Sequence, residues 1–230
     1  MVDRKFDLLK TIIEAYIDRA QPIGSKAVVM EYHFPVSPAT IRNEMNDLEQ
    51  EGYLEQPHTS AGRIPTEKAY QWYVEHALEI PKFDEEQQSM EDVMFAMRSS
   101  EAFEQLKALA RWLADYSHEA VLMSTPSHEV YSTGLGNLFS KPECADRDVV
   151  IQLSRVFDRL DEMVETLHRR PLESNLTVLI GDDCPIGEDF SIVATRMPTD
   201  PPSLIGLVGP MRMSYARNIG IMRLLSEQEF

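Results

Sequence analysis

The residues best suited to chemistry lie in one stretch, SPATIRNEMNDLEQEGYLEQPHTSAGRIP, residues 37–65. Ser37 followed by Pro38 reads as a helix N-cap and first helical position, where the missing proline N–H leaves no bond unmade. Ile41, Met45 and Leu48 then recur at i, i+4 and i+7 and mark one apolar stripe. On a helical wheel the opposite side carries Ala39, Asn43 and Asn46, with Thr40 and Arg42 on its flanks. That face is small, uncharged or basic near the start of the helix, while Glu49 and Glu51 gather at its far end. Its chemistry is recognition by hydrogen bonds: Arg and Asn make two-pronged contacts to guanine and adenine edges, and either also binds phosphate. On pattern alone, a solvated helix face is the plain alternative.

Several elements must hold that helix. Phe6, Leu9, Ile13, Tyr16, Ile17 and Ala20 repeat at helical spacing, and Pro22 and Gly24 end the run. Ser25 then suits an N-cap, with Val28, Val29 and Tyr32 giving a short second helix its apolar face. Ser25 and Lys26 stand where a helix N-terminus reaches phosphate, although capping alone accounts for Ser25. Gly52 stops the third helix. The next residues predict two short strands around Ser60-Ala61-Gly62, with Gly62 free to take positive φ and Pro57 and Pro65 tolerable at an edge. Three helices and a hairpin predict a winged helix-turn-helix over residues 1–80, in which the third helix enters a DNA major groove. Arg63 is then expected to reach the flanking backbone or minor groove, with Thr59 and Ser60 beside it. His58 is either a further contact or a strand cap. A fourth helix, EKAYQWYVEHAL, is expected to lead out of the domain.

Residues 81–117 read as a helical linker and packing helices. Met90, Val93, Met94 and Met97, then Phe103, Leu106, Ala110 and Leu113, are heptad-like and suit a neighbouring sheet or a dimer. From 118 to 230 the texture changes to short β-type runs: EAVLMS, VYSTGLGNLF, LTVLIG, FSIVATRM and SLIGLVG. One helix, about 147 to 169, interrupts them. Another follows Pro210, with Tyr215, Ile219, Met222 and Leu225 on its apolar side. This mixture predicts an α+β domain with an antiparallel sheet. The GPMRM segment, with Arg212 and Arg217 near a helix start, is either an anion site or a turn whose arginines pair with acids.

Bulk properties narrow the function. The net charge is −16, with eight Lys and Arg against thirteen Asp and Glu in residues 1–80. This argues against a non-specific coat on nucleic acid, so any DNA contact depends on a locally arranged surface. Cys144 and Cys184 form no CxxC pair and read as buried free thiols. The six histidines are scattered, and no metal-ligand spacing, Ser/His/Asp set or phosphate-cradling glycine loop stands out. The expectation is a protein that is not an enzyme and needs no metal or cofactor. With no signal peptide and no apolar run near 18 residues, a cytoplasmic protein without membrane contact is expected.

Two stretches resemble the heat-inducible transcription repressor HrcA family. One is IGSKAVVMEY…VSPATIRNEMNDLEQEGYLEQPHTSAGRIPTEKAY; the other comprises YSTGLGNLFSKPE, SIVATRM and IGLVGPMRMSYARNIGIM. The resemblance implies a winged helix followed by a GAF-like domain, binding an inverted-repeat (CIRCE-type) operator as a homodimer to repress chaperone genes. It also implies the GroE chaperonin as a partner that keeps the repressor active. Carried over, Ser37, Ala39, Thr40, Arg42 and Asn43 fall on the reading helix, and His58, Thr59, Ser60 and Arg63 on the wing. The sequence departs from the family in two places. VLMSTPSHEVYSTGL leaves no room for an inserted domain that the family associates with dimerisation, so the mode of pairing stays open. Ala69-Tyr70-Gln71 replaces a Gly-Tyr-Arg, removing one cation and making the salt dependence of binding shallower. Two other readings are a winged helix that binds protein, motivated by the acidic balance, and a GAF-type enzyme or ligand-sensing regulator.

Overall fold

The computed structural model describes residues 4–59, 61–96, 101–125, 129–169, 176–197 and 202–227. The chain divides in sequence between Leu78 and Glu79 into two compact units.

The first unit opens with α1 (Arg4–Arg19), α2 (Ser25–Glu31) and α3 (Pro38–Gln50). Leu8, Leu9, Ile12 and Ile13 of α1 and Val28 of α2 are fully buried with Ile41 and Leu48 of α3. Each such side chain contributes about 1.5–3 kcal/mol by leaving water. Two strands follow, β1 (Leu54–Glu55) and β2 (Ile64–Pro65), paired antiparallel with Leu54 opposite Pro65. α4 (Glu67–Trp72) continues as a π-helical turn through Ala77. Instead of leading out, it turns its aromatic face back onto α1: Trp72 stacks on Phe6 at 5.0 Å, and Tyr73 donates its hydroxyl to Glu14 at 3.2 Å.

The second unit begins with α5 (Asp84–Ala96) and α6 (Ala102–Ser117), which cover residues read as linker and packing helices. Met97 lies outside the described residues. The unit centres on β3 (Ala120–Ser124), β4 (Val130–Thr133), β5 (Leu176–Ile180), β6 (Phe190–Met197) and β7 (Ser203–Pro210). They form one antiparallel sheet in the order β4-β3-β7-β6-β5. Every residue of β3 and β7 is buried. Both faces are covered, which is why these strands read as continuous apolar runs instead of alternating ones. On one face Ala120, Leu122, Ile192, Ala194, Leu204 and Val208 join a core with Leu138, Leu153 and Phe190. On the other, Ser191 of β6 meets the hydroxyl of Tyr215, the first residue of α10 (Tyr215–Glu227), at 2.8 Å.

Two expectations need correction here. VYSTGLGNLF is a strand only to Thr133; Leu135–Phe139 is a helix, α7. Gly134 turns the chain with φ +73°, and a β-carbon there would sit 2.6 Å from the carbonyl oxygen of Glu119. Asn137 then donates to the carbonyls of Ala114 at 2.9 Å and Glu119 at 3.3 Å, fixing the turn. The single helix expected over 147–169 is two, α8 (Arg147–Phe157) and α9 (Leu160–Arg169), broken at Asp158 and Arg159. Cys144 and Cys184 are buried and free, as expected.

Beside that turn, the Glu119 carboxylate is 2% exposed, with Lys141 Nζ 3.3 Å away. Burial pushes its pKa up to about 7, against the pull of Lys141, Arg217 and Arg212. The folded value exceeds the unfolded one, so the native state holds this proton more tightly. The stability it contributes is present below about pH 4.5 and is lost as pH rises through 7. Glu119→Gln should therefore gain on the parent as pH rises from about 4.5 to 7 and keep that gain above it, by on the order of a few kcal/mol. Thermal melts across that range check it, and a pH-independent difference would show that the carboxylate stays ionised.

Candidate nucleic-acid interface

α3 is fixed from its N-terminus. The Ser37 side chain accepts the Thr40 N–H at 3.2 Å, and its hydroxyl lies 3.0 Å from Thr40 Oγ1. With Ile41, Met45 and Leu48 buried, Ala39, Arg42 and Asn43 face solvent and Thr40 is half-buried. The face opposite the apolar stripe is thus exposed.

A groove of about 400 Å³ runs between the start of α2, α3 and the wing. It brings together Ser25, Lys26, Arg42, Thr59 and Arg63, five of the residues singled out from the sequence. His58 and Thr59 are exposed at the wing tip, where the His58 carbonyl accepts the Ala61 N–H at 2.8 Å. Ser60 lies outside the described residues. Ser37 acts as the cap just described, at the exposed N-terminal end of α3.

The structure changes three assignments. Ser25 does not cap α2: Gly24 occupies the N-cap without a side-chain bond, and Ser25 is the first helical residue, only 8% exposed. Gly62 does not take positive φ. A β-carbon there would lie 2.4 Å from the backbone C and O of Ile23, so glycine is needed for close approach. That approach lets Ile23 and Arg63 pair through two backbone bonds, each 2.9 Å. Finally, Arg63 does not project from the hairpin. Its side chain is 12% exposed, and Nη2 lies 2.9 Å from both Asn46 Oδ1 and Glu49 Oε2.

Sequence reasoning missed Gln56, whose Nε2 donates to the carbonyls of Thr59 at 3.1 Å and Ala61 at 3.0 Å, holding the wing tip from within. Only its position before Pro57 pointed to a turn. Asn46 was placed on the outward face, but nothing local marked it as a partner of Arg63.

Charge pairing explains how an acidic unit presents a basic groove. Arg4 binds Glu44, Arg19 binds Glu31, Lys5 lies 2.6 Å from Glu51, and Arg63 takes Glu49. Lys68 donates to the Glu51 carbonyl at 2.7 Å. Among the described residues, Lys26 and Arg42 make no ion pair or hydrogen bond, both are exposed, and both line the groove.

Other polar features have partners of their own. Arg212 binds Glu143 through two nitrogens, and Arg217 donates to the Ser117 carbonyl at 2.9 Å, which favours the pairing reading of GPMRM over the anion site. A concavity of about 800 Å³ beside α8 carries Arg155 and Arg159 but also Asp158 and Glu162, so its charges balance. Among the described residues, no group of three His, Cys, Asp or Glu stands ready to hold a metal, and no helix is long and apolar enough to cross a membrane.

Three helices closed by a two-stranded wing, joined to a helix-flanked antiparallel sheet, define a two-unit winged-helix protein. A family model described as the HrcA protein C-terminal domain matches residues 73–219, and the chain belongs to the HrcA family. Curated relatives are named heat-inducible transcription repressor HrcA. The protein of Pelotomaculum thermopropionicum is 33% identical over 178 residues, covering 77% of this chain and 51% of its own length. That of Symbiobacterium thermophilum is 42% identical over 127 residues, covering 55% and 37%. That of Carboxydothermus hydrogenoformans is 51% identical over 89 residues, covering 38% and 26%. The matched part is thus about half or less of each relative. A crystal structure described as that of a hypothetical protein shares the fold, with TM-score 0.74 at 20% identity over 99% of this chain and 98% of its own.

Gly62→Ala tests the seat of the wing. Because the obstacle is backbone, the wing must shift, and the first unit should lose about 1–3 kcal/mol. Urea unfolding followed by Trp72 fluorescence in a Trp112→Phe background measures it, and an unchanged midpoint would mean the wing is free to move.

Proposed function

We propose that the chain is a transcriptional repressor that binds an inverted-repeat operator as a homodimer, α3 of each copy lying in a major groove. The observation that carries this reading is that Lys26 and Arg42, exposed and without partners among the described residues, flank one groove at the start of the reading helix. Arg42 and Asn43 read base edges, Ala39 and Thr40 make the close and apolar contacts, and Lys26 holds phosphate at the α2 start. His58 and Thr59, with Ser60, meet the adjacent backbone from the wing. A short helix gives little discrimination alone, and two on an inverted repeat multiply their selectivity. Repression follows from occupying the operator. The GroE chaperonin belongs to the same proposal as the partner that keeps the repressor active, and loss of repression on chaperonin depletion tests it.

Selection of bound duplexes from a random pool tests DNA binding, symmetry and spacing together. On the selected site, Arg42→Ala should lose about 1–3 kcal/mol and relax discrimination at one base pair per half-site. Lys26→Ala should weaken all duplexes alike and lower the slope of log affinity against log salt by about 0.9 per half-site. Titrations in which both variants match the parent would remove the groove from the interface.

A further inference from the structure

We infer that Arg63 is a positioning residue which locks the wing onto the last turns of α3 through Asn46 and Glu49, and is not itself a contact to DNA. The inference rests on the DNA-binding reading above. Three observations carry it. The Arg63 backbone is paired in both directions with Ile23, so the residue sits at the seat of the wing, while the exposed tip is His58 and Thr59. Its side chain is 12% exposed, and one nitrogen bridges Asn46 and Glu49, which lie one turn apart on α3. Glu49 neutralises it at 2.9 Å, so it adds little charge to the groove.

Turning Arg63 toward a phosphate would strip Glu49 and Asn46 of their shared partner and release the wing from the helix. A fork of rigid donors suits the task, whereas a lysine offers one flexible point charge. The wing tip, held in turn by Gln56, therefore takes its place relative to the reading face from the Arg63 link. Charge and geometry then act in opposite directions at Glu49. Removing an acid near DNA tightens binding electrostatically, while removing the anchor of the wing weakens it.

The test is a salt series of operator titrations by fluorescence anisotropy with the full chain carrying Arg63→Lys, Arg63→Ala or Glu49→Ala. Positioning predicts that all three bind about tenfold more weakly, with the salt slope of the parent. The inference is overturned if Arg63→Lys binds like the parent while Arg63→Ala loses about 0.9 of slope per half-site, or if Glu49→Ala binds more tightly. Hydrogen exchange of peptides spanning residues 23 and 63 supplies a readout independent of DNA. Faster exchange there in Glu49→Ala, with α1 unchanged, supports the lock, and unchanged exchange sinks it. Should the parent bind no duplex, the operator reading fails separately, and exchange alone decides whether the wing is held this way. Glu49 is partly exposed, so its variant keeps the fold if the arginine variants do not.

Discussion

The first unit depends on the burial of Ile41, Met45 and Leu48 along one stripe of α3. Once these three side chains are in the core, the helix cannot rotate about its axis without exposing them, and each would cost about 1.5–3 kcal/mol in water. The opposite face is fixed by elimination. Ala39, Arg42 and Asn43 point outward because their neighbours point inward, and the Ser37 cap sets where that face begins. The exposed face is in this sense a consequence of core packing, since the same 13 residues hold the domain together and present the surface proposed to read DNA.

The second constraint is electrostatic. Residues 1–80 carry more acid than base, and a uniformly smeared charge of that sign would repel phosphate. The unit avoids this by pairing acids with cations close by: Glu44 with Arg4, Glu51 with Lys5, Glu49 with Arg63. Exposed pairs like these add little to stability. Their larger effect is on the local field, because Glu44 and Glu49 of α3 are neutralised while Lys26 and Arg42 make no ion pair among the described residues. Within a screening length of about 10 Å, an approaching anion would meet those two cations more than the remote acids.

How much of this was legible in the sequence depended on range. Ser37, Pro38 and the 41/45/48 stripe act within one helix, and periodicity and capping rules found them. The apolar runs of β6 and β7 were equally plain, since strands covered on both faces need no alternation. What was misread required partners distant in the chain. Gly62 has the local setting of a turn glycine, but its constraint comes from Ile23, some forty residues earlier. Arg63 reads locally as a projecting cation, but Asn46 and Glu49 claim it across the wing. Ser25 had the right residue type for a cap one position too late, and Gly24 already stood there. The helix after Gly134 was hidden in a run of strand-forming residues because the turn is enforced by the Ala114 and Glu119 carbonyls, which no local window includes.

The segments of the second unit that carry the family resemblance have a related lesson. GPMRMSY looks like a ligand loop in isolation, yet Arg212 closes onto Glu143, and buried Tyr215 accepts from the Ser191 hydroxyl while donating to the Met211 carbonyl. Arg217 ties α10 to the end of α6 through the Ser117 carbonyl. The second motif, YSTGLGNLFSKPE, supplies Asn137, Lys141 and Glu143 to the same neighbourhood. Two motifs far apart in the chain thus join through their polar side chains, and a buried polar network of this kind is destabilised by leaving any one member unpaired.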